Sequence, residues 1–365
     1  MKYLLACGGT AGHIVPALAI AEMIKESDRR AVIAFLGTPK GMENELVGKA
    51  GYPLYHVPVC GLCRSLSPKN IKTIYLAMRA PGRAGRIIKD FRPDIVIGTG
   101  GYVSYPAAVA AHRMKIPVIL HESNACPGLS IRMSERFTDR ILLHFDEAKQ
   151  YLKHPEKAVS VGMPVLRGFN RSRSEARRAL GLGAHDLFVL SFGGSLGAEK
   201  LNEAVADYLT HCRDPHLRWY HASGKRHYDE MPRLWENAAL PGNYKLLPYI
   251  ANMPDLLPAA DIAVCRSGAS TLAELAAAGV PAILIPSPHV TDNHQYKNAS
   301  ALEHKKAAVV LEEKDLTPET FRKTVDTLLQ NKSQRLLLAN NIKKFHCDDT
   351  ADAIKHEILT LLAKK

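Results

Sequence analysis

The sequence predicts an α/β protein of two domains, each built on a parallel sheet, and three observations predict it. Two strand, glycine loop, helix junctions open the two halves of the chain. Tyr3-Leu4-Leu5-Ala6 leads into Cys7-Gly8-Gly9-Thr10-Ala11-Gly12-His13, and Leu187-Phe188-Val189-Leu190-Ser191 leads into Gly193-Gly194-Ser195-Leu196-Gly197. Short apolar runs such as Asp94-Ile95-Val96-Ile97, Pro117-Val118-Ile119-Leu120, Arg140-Ile141-Leu142-Leu143 and Ala158-Val159-Ser160-Val161 alternate with helical patterns. That alternation is the pattern of parallel strands joined by crossover helices. A chain of 365 residues, 46% hydrophobic and 23% charged, can bury two ordinary cores.

In order, the first loop is followed by a helix expected from about Pro16 to Lys25, with proline in the first turn. The second strand, Ala31 to Leu36, ends in Gly37-Thr38. A basic amphipathic segment runs from Lys69 to Arg92, and Pro81-Gly82 is expected to interrupt its helix. Gly162-Met163-Pro164 reads as the linker, so the first domain is placed at 1–162 and the second at 163–344. A helix from Ala198 to about Leu209 follows the second glycine loop. The last helix, about Ala351 to Leu362 within 345–365, is expected to pack back on the first domain.

The richest stretch runs from Asp261 to Asn298. The strand Ile262-Ala263-Val264-Cys265 delivers Arg266-Ser267-Gly268-Ala269-Ser270-Thr271 into a helix carrying Glu274. Unpaired N–H groups at a helix start carry the positive end of the peptide dipoles and attract anions, and Arg266 adds a permanent charge. A carboxylate about one turn on accepts hydroxyl hydrogen bonds from a ribose. Gly279 and Pro281 stop this helix, the strand Ala282 to Pro286 follows, and the polar loop Asp292-Asn293-His294-Gln295 comes at its end. Ser267, Ser270 and Glu274 also read as helix-capping residues. The repetition of glycine junctions elsewhere favours the phosphate and ribose reading.

Several classes are excluded. Neither loop is Gly-x-Gly-x-x-Gly, the second strand lacks the terminal acidic residue of a nicotinamide site, and no Gly-Lys-Ser/Thr closes a phosphate loop. The seven cysteines are scattered, Cys60-Gly-Leu-Cys63 has no second pair for zinc, and no Asp-x-Asp clamp appears, so no metal and no cofactor is expected. Leu4-Leu5-Ala6-Cys7 has too short a leader for a lipoprotein signal, and no run of 18 apolar residues occurs. The net charge of +12 suggests an anionic surface. Its densest cluster includes Lys72, Arg79, Arg83 and Arg86 interleaved with Ile71, Ile74, Tyr75 and Met78. Two readings stand for that segment, a membrane-docking patch or a core stripe with a solvated face. No nucleic-acid motif is present, so nucleic acid is not expected as a partner.

The sequence resembles the MurG family of bacterial glycosyltransferases over nearly its whole length. The resemblance rests on five motifs in one order: Gly8 to His13 with Pro16; Gly100-Gly101-Tyr102-Val103-Ser104; His121-Glu122-Ser123-Asn124; Gly193 to Ala198; and Arg266-Ser267-Gly268-Ala269 with Glu274 and Asp292 to Gln295. It implies two Rossmann-like domains facing each other across a cleft, the glycosyltransferase B-type fold. The implied reaction is inverting transfer of N-acetylglucosamine from UDP-N-acetylglucosamine to the muramyl 4-hydroxyl of lipid I, giving lipid II in peptidoglycan synthesis. The partners implied are that donor, lipid I, an anionic membrane surface and other wall-synthesis proteins. The place implied is the cytoplasmic face of the inner membrane, held peripherally.

Carried onto matching positions, the resemblance implies that Gly194 and Ser195 contact the donor diphosphate, with Arg266, Ser267 and Gly268 beside it. Glu274 takes the ribose, backbone Ile250 the uracil, and Asn124 and Gln295 the sugar hydroxyls. Thr10, Ala11, Gly12 and His13 line the diphosphate and acceptor side, and Tyr102 and His121 are acceptor candidates. Their other reading is a loop-packing tyrosine and a histidine ending a buried strand. The family's Gly-Asn-Pro junction is here Gly162-Met163-Pro164 with Arg167 displaced, so Arg167 receives no role, and His294 stands where some members have Gln.

Breaking an anomeric carbon–phosphate bond builds negative charge on the departing UDP and requires a base at the acceptor hydroxyl. His13, Glu274 and Asn124 are the candidate catalytic residues. For His13 the base role and a phosphate-binding role both stand. A UDP-sugar 2-epimerase or another UDP-sugar transferase of the same fold is the alternative, and a non-enzymatic binder is a further class.

Overall fold

A computed structural model describes residues 1–59, 69–165, 169, 171–194, 197–231 and 243–364, with the backbone alone at 69–72 and 74. The chain divides into two compact units, residues 1–166 with 347–365, and residues 167–346.

In the first unit, β1 (Lys2–Ala6), β2 (Val32–Gly37), β3 (Leu54–His56), β4 (Ile95–Gly98), β5 (Val118–Glu122), β6 (Arg140–Leu143) and β7 (Ala158–Ser160) form one sheet in the order β3-β2-β1-β4-β5-β6-β7. Every pairing is parallel. Helices cover both faces, which is why Leu4, Leu5 and Ala6 are all fully buried and the strands read as apolar runs instead of alternating. The order reverses between β1 and β4, where Ala6 pairs with Gly98. Loops leaving the carboxyl ends at such a switch point are where ligands bind in doubly wound sheets. The loops beginning at Cys7 and Thr99 leave from there.

Two helices differ from expectation. Helix α1 spans Ala11–Ser27, so Pro16 lies inside it and not in its first turn. The glycines of the preceding loop let the chain turn directly after Gly9, and Ile14 is already fully buried. After α2 (Glu43–Lys49), α3 runs unbroken from Lys69–Phe91 with Pro81 and Gly82 inside it. Proline removes one helical donor. The buried face of Ala80, Ala84 and Ile88, packed with Val103, Ala107 and Ala111 of the α4 region (α4, Ser104–Arg113), holds the helix through it. A short α5 (Leu129–Ser134) follows β5. The C-terminal helix Thr350–Ala363 places Ile354, Ile358 and Leu361 in the same core cluster as Tyr3, Ile20 and Ile24. Its Glu357 accepts from Arg140 Nε at 3.0 Å.

In the second unit, β8 (Leu187–Phe192), β9 (Leu217–Ala222), β10 (Tyr244–Leu247), β11 (Ile262–Cys265), β12 (Ala282–Leu284) and β13 (Val309–Val310) form a parallel sheet in the order β10-β9-β8-β11-β12-β13. Its reversal falls between β8 and β11, so the loops beginning at Gly193 and Arg266 leave from the switch point. A capping box at Ser172 and Glu175 starts α6 (Arg173–Ala179), and α7 spans Glu199–His211. Trp219 is fully buried at the centre of this core with Tyr208 and Phe321.

Candidate active site

In the second unit the strand β11 feeds the helix Ala269–Ala278, whose N-cap is Gly268 with no side-chain cap. The capping reading of Ser267, Ser270 and Glu274 is therefore overturned. The Ser267 hydroxyl instead donates to the Gln295 carbonyl at 2.8 Å, and Asn298 Nδ2 donates to the Ser267 carbonyl at 3.3 Å. Gln295 Oε1 accepts from the Ser287 amide at 2.8 Å, which leaves its amide nitrogen as the donor end. Ser270 Oγ is buried at the helix start and has no partner among the described residues. Glu274 lies one turn on, and burial pushes its carboxyl up to about 7. Just before the helix that carries Gln295, Asp292 and Asn293 both take left-handed backbone conformations, with φ of 54° and 51°. Two adjacent residues of this kind are tolerated best by Asp and Asn.

Arg266 is placed differently from the expectation of a cation aimed at phosphate. Its Nη1 donates to the Ile285 carbonyl at 3.1 Å and its Nη2 is bonded to Glu313. Among the second glycine loop's residues, Gly194 is exposed at φ +84°, and Ser195 lies outside the described residues. Gly197 is packed so closely on the Ser223 carbonyl that a Cβ there would come to 2.1 Å. Beneath it runs a directed chain of hydrogen bonds. Trp219 Nε1 donates to Ser191 Oγ at 2.7 Å, and the Ser191 hydroxyl donates to His221 Nδ1 at 2.8 Å, because Nε2 of the neutral ring carries the proton. His221 Nε2 then donates to Asn202 Oδ1 at 3.1 Å, and Asn202 Nδ2 to the Ser223 carbonyl at 3.1 Å. Burial pushes the His221 ring down to about 3, which keeps it neutral. Ile250 is buried in the segment after β10, while Tyr249 beside it is exposed.

In the first unit, Thr10 is the N-cap residue of α1 and makes no side-chain cap. His13, in the first turn with Ala11 and Gly12, sets Nδ1 at 3.1 Å from the Gly8 carbonyl and 3.5 Å from Thr10 Oγ1. A carbonyl only accepts, so Nδ1 carries the proton and Nε2 is the basic nitrogen of the neutral ring. Gly100 and Gly101, at φ +110° and +80°, lie directly on this turn. Tyr102 follows them and is exposed. Asn124 donates from its backbone N and its Nδ2 to Glu122 Oε1 at 2.8 and 3.0 Å, and Gly128 N donates to Glu122 Oε2 at 2.9 Å. Glu122 is buried, and burial pushes its carboxyl upward.

Of the two readings of His121, the structure fits the histidine that ends a buried strand. It is fully buried in β5, with Nε2 at 3.2 Å from the Gly162 carbonyl and Nδ1 at 3.4 Å from Ser123 Oγ, and burial pushes its ring down to about 4. A neutral core histidine of this kind anchors the chain where it leaves β7. Two acidic residues that hold these loops, Glu43 and Glu313, lie outside every quoted motif, and Glu122 stands within one but received no role of its own. Among the described residues no group of three or more His, Cys, Asp or Glu can hold a metal ion.

On α3, Tyr75 and Met78 are exposed, and Arg79 lies over the Tyr75 ring at 5.0 Å. Their exposure argues against the core-stripe reading for these two residues. Ile71, Lys72 and Ile74 are on the helix, but their side chains lie outside the described residues. Cys60 and Cys63 are outside them too, and no helix among the described residues is long and apolar enough to cross a membrane.

Two doubly wound parallel sheets with glycine loops at their switch points place the chain in the class of nucleotide-binding α/β folds, and comparison with known proteins narrows it to glycosyltransferases. Residues 3–143 match the glycosyltransferase family 28 N-terminal domain and residues 188–356 its C-terminal domain. A protein from Carboxydothermus hydrogenoformans, named UDP-N-acetylglucosamine–N-acetylmuramyl-(pentapeptide) pyrophosphoryl-undecaprenol N-acetylglucosamine transferase, is 40% identical over 100% of this chain and 99% of its own length. The crystal structure of Acinetobacter baumannii MurG superposes with a TM-score of 0.79 at 28% identity, covering 98% of this chain and 99% of that one. A UDP-N-acetylglucosamine 2-epimerase from Neisseria meningitidis shares the fold at a TM-score of 0.68 and 13% identity, covering 99% of this chain and 100% of that one. The chain belongs to the MurG family of glycosyltransferase family 28.

Proposed function

We propose that the protein transfers N-acetylglucosamine from UDP-N-acetylglucosamine to the muramyl 4-hydroxyl of lipid I. The observation that carries this is likeness over the whole chain to a transferase named for that donor and acceptor. In the proposed reaction the acceptor oxygen attacks the anomeric carbon as its bond to the diphosphate oxygen breaks. UDP departs with the bond electrons, and the hydroxyl proton passes to His13 Nε2.

On the donor side, Glu274 takes the ribose hydroxyls, and the amides at Gly194, Ser195, Ser267 and Gly268 take phosphate oxygens. The orphaned Ser270 hydroxyl supports this, since a phosphate oxygen would satisfy it. Ile250 offers its backbone to uracil, and Asn124 and Gln295 hold sugar hydroxyls. Glu122 fixes the Asn124 amide, and Thr10, Ala11 and Gly12 present the helix start to the diphosphate. Arg266 organises the loop through Glu313 and Ile285 and does not act as a direct phosphate ligand. Tyr102 is kept as the acceptor contact. The exposed Tyr75 and Met78 with Arg79, Arg83 and Arg86 dock the protein peripherally on an anionic bilayer, where its lipid acceptor resides.

The deciding experiment measures UDP release from UDP-N-acetylglucosamine with and without a lipid I analogue, with the product identified by mass. Acceptor-dependent release with a disaccharide product is expected. Sugar rearrangement without acceptor would replace the transferase reading by the epimerase one.

A further inference from the structure

We propose that Glu43 is a positioning residue for His13, acting through the peptide group between Gly8 and Gly9. The N–H of that peptide belongs to Gly9 and donates to Glu43 Oε2 at 3.2 Å. Its carbonyl belongs to Gly8 and accepts from His13 Nδ1 at 3.1 Å. Carboxylate, peptide and imidazole thus form one directed line, Oε2···H–N–C=O···H–Nδ1. A carboxylate that orients a histidine by direct contact is a familiar device, and here one peptide unit stands between the two. Charge on Glu43 polarises the peptide and increases the negative charge on the Gly8 oxygen. That favours the Nδ1–H tautomer, leaves Nε2 as the basic nitrogen, and stabilises the imidazolium after Nε2 takes a proton.

The surroundings are built for an ionised group at this place. Glu43 is fully buried, yet among the described residues it has no cationic partner. Its other oxygen accepts from the Thr38 amide at 2.7 Å and the Thr38 hydroxyl at 2.6 Å. Burial pushes the carboxyl up, but the hydrogen bonds from Thr38 and Gly9 outweigh this and hold it below the usual carboxylate range. Three glycines make room for it, since a Cβ at Gly8, Gly37 or Gly41 would come within 2.8, 2.6 or 2.0 Å of its side chain. On the far side of the line, a Cβ at Gly101 would meet the Gly8 carbonyl at 2.2 Å, and one at Gly100 the His13 ring at 2.5 Å. Groups facing the pair include the Cys7 thiol, pushed up by burial and by Glu43, and the hydroxyls of Thr10 and Thr38. None of these three is charged at neutral pH, and the carboxylate end of the line is Glu43.

This inference rests on His13 being the base, and the test separates the two. Nitrogen-15 NMR of imidazole-labelled full-length protein, with the His13 signal assigned by its loss in His13→Gln, reads tautomer and titration directly. The expected result is an Nδ1–H tautomer in the unmodified protein and a His13 pKa lowered by about one unit in Glu43→Gln. Turnover in Glu43→Gln should fall about 10-fold, with the acid limb of its pH profile moving by the same amount, KM for UDP-N-acetylglucosamine little changed, and Glu43→Asp recovering part of the loss. An Nε2–H tautomer in the unmodified protein, or the same His13 pKa with and without the Glu43 charge, overturns the proposal. The first of these needs no variant and so survives a Glu43→Gln that does not fold. Full turnover in His13→Ala would instead remove the base reading, whatever the NMR shows.

Discussion

Arg266 and Glu313, 47 residues apart in sequence, are bonded to each other with only 13% of either side chain exposed. The pair ties the start of the loop after β11 to the segment after β13. Removing one partner of such a pair strands the other charge in a poorly solvated place, which costs about 3 kcal/mol. Arg266→Ala should therefore lose about that much in urea unfolding, and Arg266→Ala with Glu313→Gln should recover a large part of it. Additive losses in the double variant would show that the two do not act as a unit.

Glu274 gives two pH effects of opposite sign. Its folded pKa near 7 lies above the unfolded value of about 4.3, so the folded state prefers the neutral acid. The stability this contributes is fully present below about pH 4 and is lost as pH rises through 7. Glu274→Gln should then raise stability at pH 8 by on the order of 2 kcal/mol, readable as a higher Tm. UDP affinity should move the other way. In the proposed donor site the ionised carboxylate accepts two ribose hydroxyls, so calorimetric affinity should weaken as pH falls through 7, and Glu274→Gln should flatten that dependence.

For His13→Ala, turnover should fall by about 100-fold or more while the dissociation constant of UDP changes by less than about threefold, the split expected for a base. Collapse of UDP binding in titration calorimetry would assign His13 to phosphate binding instead.

Gly101 and Gly48 form a matched contrast. Gly101→Ala must place a methyl group 2.2 Å from the Gly8 carbonyl at φ +80°. It should lower Tm and turnover together. Gly48 lies in α2 with nothing within 4 Å of an added Cβ, so Gly48→Ala should stabilise by about 0.5–1 kcal/mol. Differential scanning calorimetry of the two side by side checks both signs.

Met78, 71% exposed on α3, is the most accessible large apolar side chain of the proposed docking segment among the described residues. Met78→Asp should reduce co-sedimentation with vesicles containing anionic lipid severalfold, while turnover on a water-soluble acceptor analogue stays unchanged. Equal vesicle binding would move the docking surface elsewhere.

Much of this was legible in the chain because glycine loops after apolar strands have one common cause, a helix start brought to the end of a parallel strand. The loops at Gly8, Gly100, Gly193 and Arg266 all emerge at the two switch points. Less legible were the residues that hold those loops. The end of β2 offers no acid, and Glu43 comes five residues after Thr38 at the start of a helix, where it resembles an ordinary first-turn acid. Only the fold turns it back beneath Gly9. His121 shows the reverse case, a motif residue whose side chain is directed into the core because its strand is buried on both faces. The sequence shows the charge of Arg266 but not its pairing, because Glu313 is distant in sequence. The helix through Pro81 is not legible in the sequence, because tertiary packing on Ala80, Ala84 and Ile88 overrides local propensity there.

The helix Thr350–Ala363 sets an order for events on the ribosome. Residues 167–346 can collapse on themselves as soon as they emerge, since their core uses nothing beyond that range. The earlier-made sheet cannot finish, because Ile354, Ile358 and Leu361 belong to the layer that covers Tyr3, Ile20 and Ile24. During nearly all of synthesis that apolar face stays open, a target for chaperones or for premature association. The segment made first is thus the one completed last, and a nascent chain cut off before residue 350 would carry a finished second unit attached to an unfinished first one.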